Sequence, residues 1–176
     1  MPNLPPITSL PTSSAPQKAQ ILDLLFEPST QLHTLSLPLL HDTPFPSYDD
    51  LITAVGVQLT ALAESASTSD ARWLESILCS HPRLGAKGVE SALSRGEQAG
   101  LQGEEGEELR ELNEAYEARF PGLRYVVFVG GRGRGAVMED MRRRIEGGDV
   151  GEERRAAIRA MCEIAADRAK KLLRQD

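Results

Sequence analysis

Glu152-Glu153-Arg154-Arg155-Ala156-Ala157-Ile158-Arg159-Ala160-Met161-Cys162-Glu163-Ile164-Ala165-Ala166-Asp167-Arg168-Ala169-Lys170-Lys171-Leu172-Leu173 reads as one long closing helix. Ala157, Met161, Ile164, Arg168 and Leu172 recur every three or four residues and share a face. Arg168 falls on that apolar stripe, where a charge is costly unless paired. Either it snorkels to the edge, or it points into a polar pocket and binds a carboxylate or similar oxygen. The residues alone leave both outcomes open.

Helical signals continue outward from this segment. Ile21, Leu22, Leu25 and Phe26 form a stripe that ends at Pro28, from a start near Gln17. Ser47 stands three residues before Asp50 in a capping-box pattern, and Leu51, Val55, Leu59 and Leu62 follow at helical spacing. A further helix runs from about Ser69 through Trp73 and Ile77 to Cys79. His81-Pro82 ends it, because the residue before proline is pushed out of the α region, so His81 should project from a helix exit. Leu109, Leu112, Tyr116 and Phe120 give the acidic Glu104–Phe120 stretch an apolar face, and its charge reads as solvated. Val137 to Ile145 is another helix, separated from the last by Gly147-Gly148. Tyr125 to Val129 is the one strand-like run. Residues 1–16 hold five of the eleven prolines and read as a tail that cannot form helix and either extends over the surface or stays mobile.

At 176 residues, 40% hydrophobic and 26% charged, the chain fits one globular domain, here 17–174 after the tail. Only 5% of residues are aromatic, so aliphatic side chains must build the core. A net charge of −6 argues against a general nucleic-acid or membrane-surface binder. No apolar run is long enough for a transmembrane helix. Cys79 and Cys162, without a secretory signal, read as reduced thiols of an intracellular protein. Cys79 near His81 raises a nucleophile or metal pair, but the end of an apolar helix favours a small buried hydrophobe.

The chemistry concentrates in His81-Pro82-Arg83-Leu84-Gly85 and Ser94-Arg95-Gly96-Glu97-Gln98. An imidazole and a carboxylate supply proton transfer near neutral pH, while a hydroxyl and a carboxamide fix a polar substrate. Ser94 could be a nucleophile beside His81, or only a helix cap before Glu97. His33, His41 and His81 lack metal-ligand spacing, so no metal site is expected. Gly130-Gly131-Arg132-Gly133-Arg134-Gly135 invites a phosphate-loop reading, but Gly-Lys-Ser/Thr and a parallel sheet are missing. From Arg124 onward basic residues exceed acidic ones, yet interleaved acids and few aromatics favour a solvated face over RNA binding.

Taken together, several blocks resemble one family: Leu24-Leu25-Phe26-Glu27, Pro44-Phe45-Pro46, the His81 and Ser94 motifs, Leu112-Asn113-x-x-Tyr116-x-x-x-Phe120, Val126 to Arg132, and Ile164-x-x-x-Arg168. In order, from about Gln17 to Leu173, they are similar to 2-oxo-4-hydroxy-4-carboxy-5-ureidoimidazoline (OHCU) decarboxylases, which complete the conversion of urate to (S)-allantoin. The resemblance implies an all-α, single-domain bundle, here of about eight helices with a short extended segment near 124–129. It further implies a homodimer that acts on a small ureide without cofactor, in cytoplasm or peroxisome. The C-terminus lacks a Ser-Lys-Leu type address, which inclines the expectation to cytoplasm. By motif, His81 and Glu97 are the expected catalytic residues. Pro82, Ser94, Gln98, Phe128, Val129, Gly130 and Arg168 are the expected substrate contacts. The chain departs from the family pattern in its proline-rich start, and in Pro121-Gly122-Leu123-Arg124 where a Gly-Phe-Pro-Phe run is usual. The rival readings are a hydrolase or lyase of another ureide, and a helical interaction domain in which His81 and Glu97 are packing and capping residues.

Overall fold

The computed structural model describes residues 3–86, 92–97 and 106–174, with the Glu97 side chain outside that description. Among these residues are eight α-helices and one 3-10 helix. The α-helices are α1 (Ala15–Phe26), α2 (Thr30–Asp42), α3 (Tyr48–Glu64), α4 (Thr68–Leu78), α5 (Ala92–Glu97), α6 (Gly106–Arg119), α7 (Arg134–Gly147) and α8 (Val150–Leu173). The fold is all-α, and no strand occurs among the described residues.

Helix α8 is the axis of the bundle. Asp149 caps it by accepting from the Gly151 and Glu152 amides. Glu152 and Glu153 then oppose the positive end of the dipole, and Lys170 and Lys171 the negative end. Its buried face carries Ala157, Met161, Ile164, Ala165, Ala169 and Leu172, and packs against α1 and α3. The alanines let those helices approach closely, while Leu22, Leu25, Val55 and Leu59 fill the seam from the other side. Each buried leucine or isoleucine of such a seam contributes roughly 1.5–3 kcal/mol. Helix α6 lies against α7, where the Arg144 guanidinium stands 5.8 Å from the Tyr116 ring, and both side chains reach α8, Tyr116 donating to Glu153 at 2.6 Å and Arg144 Nε at 2.8 Å.

The N-terminal segment corrects the expectation of a surface tail. Ile7–Thr12 forms a 3-10 helix, and Leu4 and Leu10 are buried in the core. The Tyr48 hydroxyl also donates to the Pro5 carbonyl at 2.7 Å. Two leucines supply the apolar anchor that a proline count does not show, and proline's fixed φ suits so short a helix. Pro16 sits in the first turn of α1, where its missing N–H costs nothing. The strand-like run is likewise corrected to an irregular segment, 123–129, with Tyr125 and Val126 buried. A lone β-prone run has no ladder to join, so side-chain burial rather than pairing fixes it.

Candidate active site

Helix α4 ends at Leu78, and the chain leaves it through Cys79 and Ser80 to His81. Three side chains distant in sequence, Arg124, Asn113 and Glu117, hold this exit. Arg124 donates to the carbonyls of Cys79 (2.8 Å) and His81 (2.6 Å). Asn113 donates to the carbonyl of Leu84 at 3.1 Å, and Arg83 pairs with Glu117. Gly85 closes the loop at φ +71, where a Cβ would stand 2.7 Å from Leu109 Cδ2. Arg124 belongs to the run that departs from the family pattern, and its effect is to fix the backbone of His81.

His81 does not project into solvent. It is 5% exposed, and its Nε2 is buried with no hydrogen-bond partner among the described residues. Burial, reinforced by the charge of Arg168, pushes its pKa down to about 4; Glu27 opposes this and Arg124 adds to it. The ring is therefore neutral at pH 7 and can accept a proton.

His81 lines a cleft of about 590 Å3 together with Pro82, Leu84 and Ser94. The opposite wall is the 125–133 segment, including Phe128, Val129 and Gly130, with Ile164, Asp167 and Lys171 of α8 at one side. Gly130 and Gly131 both have positive φ, which turns the chain back so that the Arg132 amide donates to Val129 O at 2.8 Å. The Arg132 guanidinium folds onto the carbonyls of Phe128 and Val129. The glycine-rich stretch thus forms a lip of the cleft before α7.

Ser94 lies inside α5, so the capping alternative for it is corrected. Its hydroxyl donates to Glu27 and accepts from Arg168 Nη2 at 2.9 Å. Arg168 is 0% exposed, which excludes snorkelling, and it is not among the described residues that line the cleft. Its Nη2 meets Glu27 Oε1 at 2.6 Å, while Nη1 reaches the Leu24 and Leu25 carbonyls at the end of α1. Burial draws the Glu27 carboxyl upward, but Arg168 and Ser94 outweigh it and hold it below the usual carboxylate range. Glu97 is the last residue of α5, and Gln98 lies outside the described residues.

Of the expected site residues, the fold brings His81, Pro82, Ser94, Phe128, Val129 and Gly130 to one cleft, with Arg168 bonded to Ser94. Sequence reasoning assigned no role to Glu27, Arg124 or Asn113. A signal for Glu27 existed, since a carboxylate ending an apolar stripe is the partner that an arginine on another apolar stripe requires. The other candidates lie elsewhere. His33 pairs with Asp23 at 2.6 Å, and His41 meets Lys18 at 3.4 Å. Cys79 contacts the Gly122 carbonyl, and burial pushes its thiol pKa up, with Arg124 opposing. Among the described residues no group of three His, Cys, Asp or Glu could hold a metal ion.

The model of the OHCU decarboxylase family matches residues 11–170, nearly the whole chain. The chain belongs to the OHCU decarboxylase family. It is accordingly a carboxy-lyase of urate degradation that converts OHCU to allantoin. Among curated proteins no match reaches significance. None of the described helices of this OHCU decarboxylase is long and apolar enough to cross a membrane.

Proposed function

We propose that His81 is the proton-transfer residue of this decarboxylase, and that the cleft it shares with Ser94 binds the ureide. One observation supports the assignment above the others: a buried, neutral imidazole with an unpartnered Nε2 in the wall of a cleft. A buried nitrogen without a partner costs stability, and a substrate hydroxyl supplies the missing one.

The chemistry follows from the substrate. The carbon–carboxylate bond breaks and its electron pair passes into the adjacent ring imine, releasing carbon dioxide. The imine nitrogen takes up a proton from water, the hydroxyl proton on the same carbon moves to His81, and a proton is delivered to the ureido-bearing carbon, so that one proton is consumed for each carboxylate converted to allantoin. Because the imine accepts the electrons, the reaction requires no external electron sink. The protein's task is orientation and charge placement.

Pro82, Phe128, Val129 and Gly130 supply the walls against which the ring lies, and delivery of the proton to one face accounts for the (S) product. Ser94, its proton committed to Glu27, presents an acceptor oxygen to substrate N–H groups. Arg168 supports that polar end through Ser94. Glu97 and Gln98, three and four residues after Ser94, serve the hydroxyl, ureido and ring carbonyl groups. The family pattern also supports a homodimer acting in cytoplasm or peroxisome.

The test is circular dichroism of OHCU freshly generated from urate by the two upstream enzymes. The wild-type protein should give rapid accumulation of (S)-allantoin, and His81→Ala should lower the rate at least about a hundredfold with its helical spectrum intact. Near-normal turnover by folded His81→Ala would remove His81 from the mechanism.

A further inference from the structure

Glu27 has the only positive φ of a non-glycine residue among the described residues, φ +74 with ψ 153. L side chains rarely adopt this conformation, and residues held in it concentrate at functional sites. Pro28 follows and bars continuation of α1. The backbone could have been relieved by glycine, yet a carboxylate stands here, 3% exposed and turned inward.

Its contacts explain the direction of the turn. Oε1 accepts from Arg168 Nη2 at 2.6 Å and from the Ser94 hydroxyl, while Arg168 Nη2 also donates to Ser94. Three side chains, from the residue that ends α1 and from α5 and α8, thus close a triangle, and one corner, Ser94, lines the cleft beside His81. The charges around His81 are Arg168 on α8, Arg124 on the 123–129 segment and Glu27 at the end of α1. Of these three Glu27 alone is negative, and Asp167 and Lys171 of α8 line the same cleft.

We propose that Glu27 is a positioning residue of the active site, which fixes the Ser94 hydroxyl as an acceptor toward substrate and offsets the Arg168 charge beside His81. The role rests on the reading of His81 as the proton-transfer group. Without the carboxylate, the Ser94 proton is released toward the cleft and the donor pattern facing the ureide is inverted. The uncompensated guanidinium also bears more strongly on His81.

Glu27→Gln keeps the shape and removes the charge. Glu27→Gly removes the carboxylate while relieving the backbone, so it separates the side chain from the turn. Both should keep the helical spectrum of the wild type and lower kcat/KM at least about tenfold. In Glu27→Gln the acid limb of the kcat/KM profile should also move to lower pH, because the carboxylate that opposes Arg168 at His81 is gone. A folded variant with wild-type kcat/KM and an unmoved acid limb would overturn the proposal. Loss of helical structure in both variants would overturn it too, since Glu27 would then serve the fold and not the site. His81→Ala is measured alongside: if it is inactive while the Glu27 variants are normal, only the positioning role fails, whereas an active His81→Ala defeats the reading beneath it.

Discussion

At the scale of single residues, the site works by burial of groups that prefer water. His81 is kept neutral because the charged form would lose hydration in the loop after α4 and would face the guanidinium of Arg168. An exposed histidine would lose its basic form below about pH 6.5. With its pKa pushed down to about 4, His81 should remain a base well into acid. The expected kcat/KM profile is therefore flat from pH 7 to about 5, with its acid limb near 4. A limb at about 6.5 in the measured profile would mean that the titrating base is solvated, contrary to the geometry. Arg168 shows the same logic with the opposite outcome. It stays charged while fully buried because Glu27, Ser94 and two α1 carbonyls receive its donors.

At the scale of elements, the 81–85 loop is held by neighbours and has little helical structure of its own. Asn113 from α6, Glu117 from α6 and Arg124 from the 123–129 segment all grip it. Gly85 is the point where it must turn with positive φ against Leu109. Gly85→Ala should cost about 1–3 kcal/mol, from the strained φ and the overlap with Leu109. Because the same loop carries His81, kcat should fall along with stability. Denaturant titration and steady-state kinetics on one preparation would check this, and a loss of stability without any loss of kcat would show that the loop absorbs the strain away from His81. Periodicity made α1, α3, α4, α6 and α8 legible, since each buries one stripe against the bundle. It failed for Ser94, where a Ser-x-x-Glu spacing looks the same whether the serine caps a helix or sits inside one. It failed also for residues 1–16, where Leu4 and Leu10 outweigh the prolines.

At the scale of the whole molecule, the buried ionisable groups make the fold acid-sensitive. His81 binds its proton more weakly folded than unfolded, so between pH 6.5 and about 4 the unfolded chain takes up the proton first. Its contribution is fully present above about 6.5 and is lost as pH falls towards 4, by at most about 3 kcal/mol. Glu27, held below the usual carboxylate range, adds stability that is present above 4.5 and lost as pH falls through its folded pKa. Both slopes run the same way. Urea unfolding at pH 7, 5.5 and 4.5 should show falling stability, and His81→Asn should flatten the change between 6.5 and 4.5. An unchanged slope in that variant would place the acid sensitivity elsewhere.

The amino-acid sequence by itself determined helices α1, α3, α4, α6, α7 and α8, the interruption at His81-Pro82, the residue types available for proton transfer and the membership of a decarboxylase family. These are local or pattern-borne properties, carried by side-chain spacing and by the restrictions that proline and glycine place on φ. Only the tertiary structure decided that His81 is buried and neutral, that Arg168 answers to Glu27, and that Ser94 joins that pair to the cleft. Glu27 and Arg168 stand 141 positions apart, on helices that meet only because α1 packs against α8. Desolvation and charge pairing depend on which groups converge in space, and no spacing along the chain encodes that convergence.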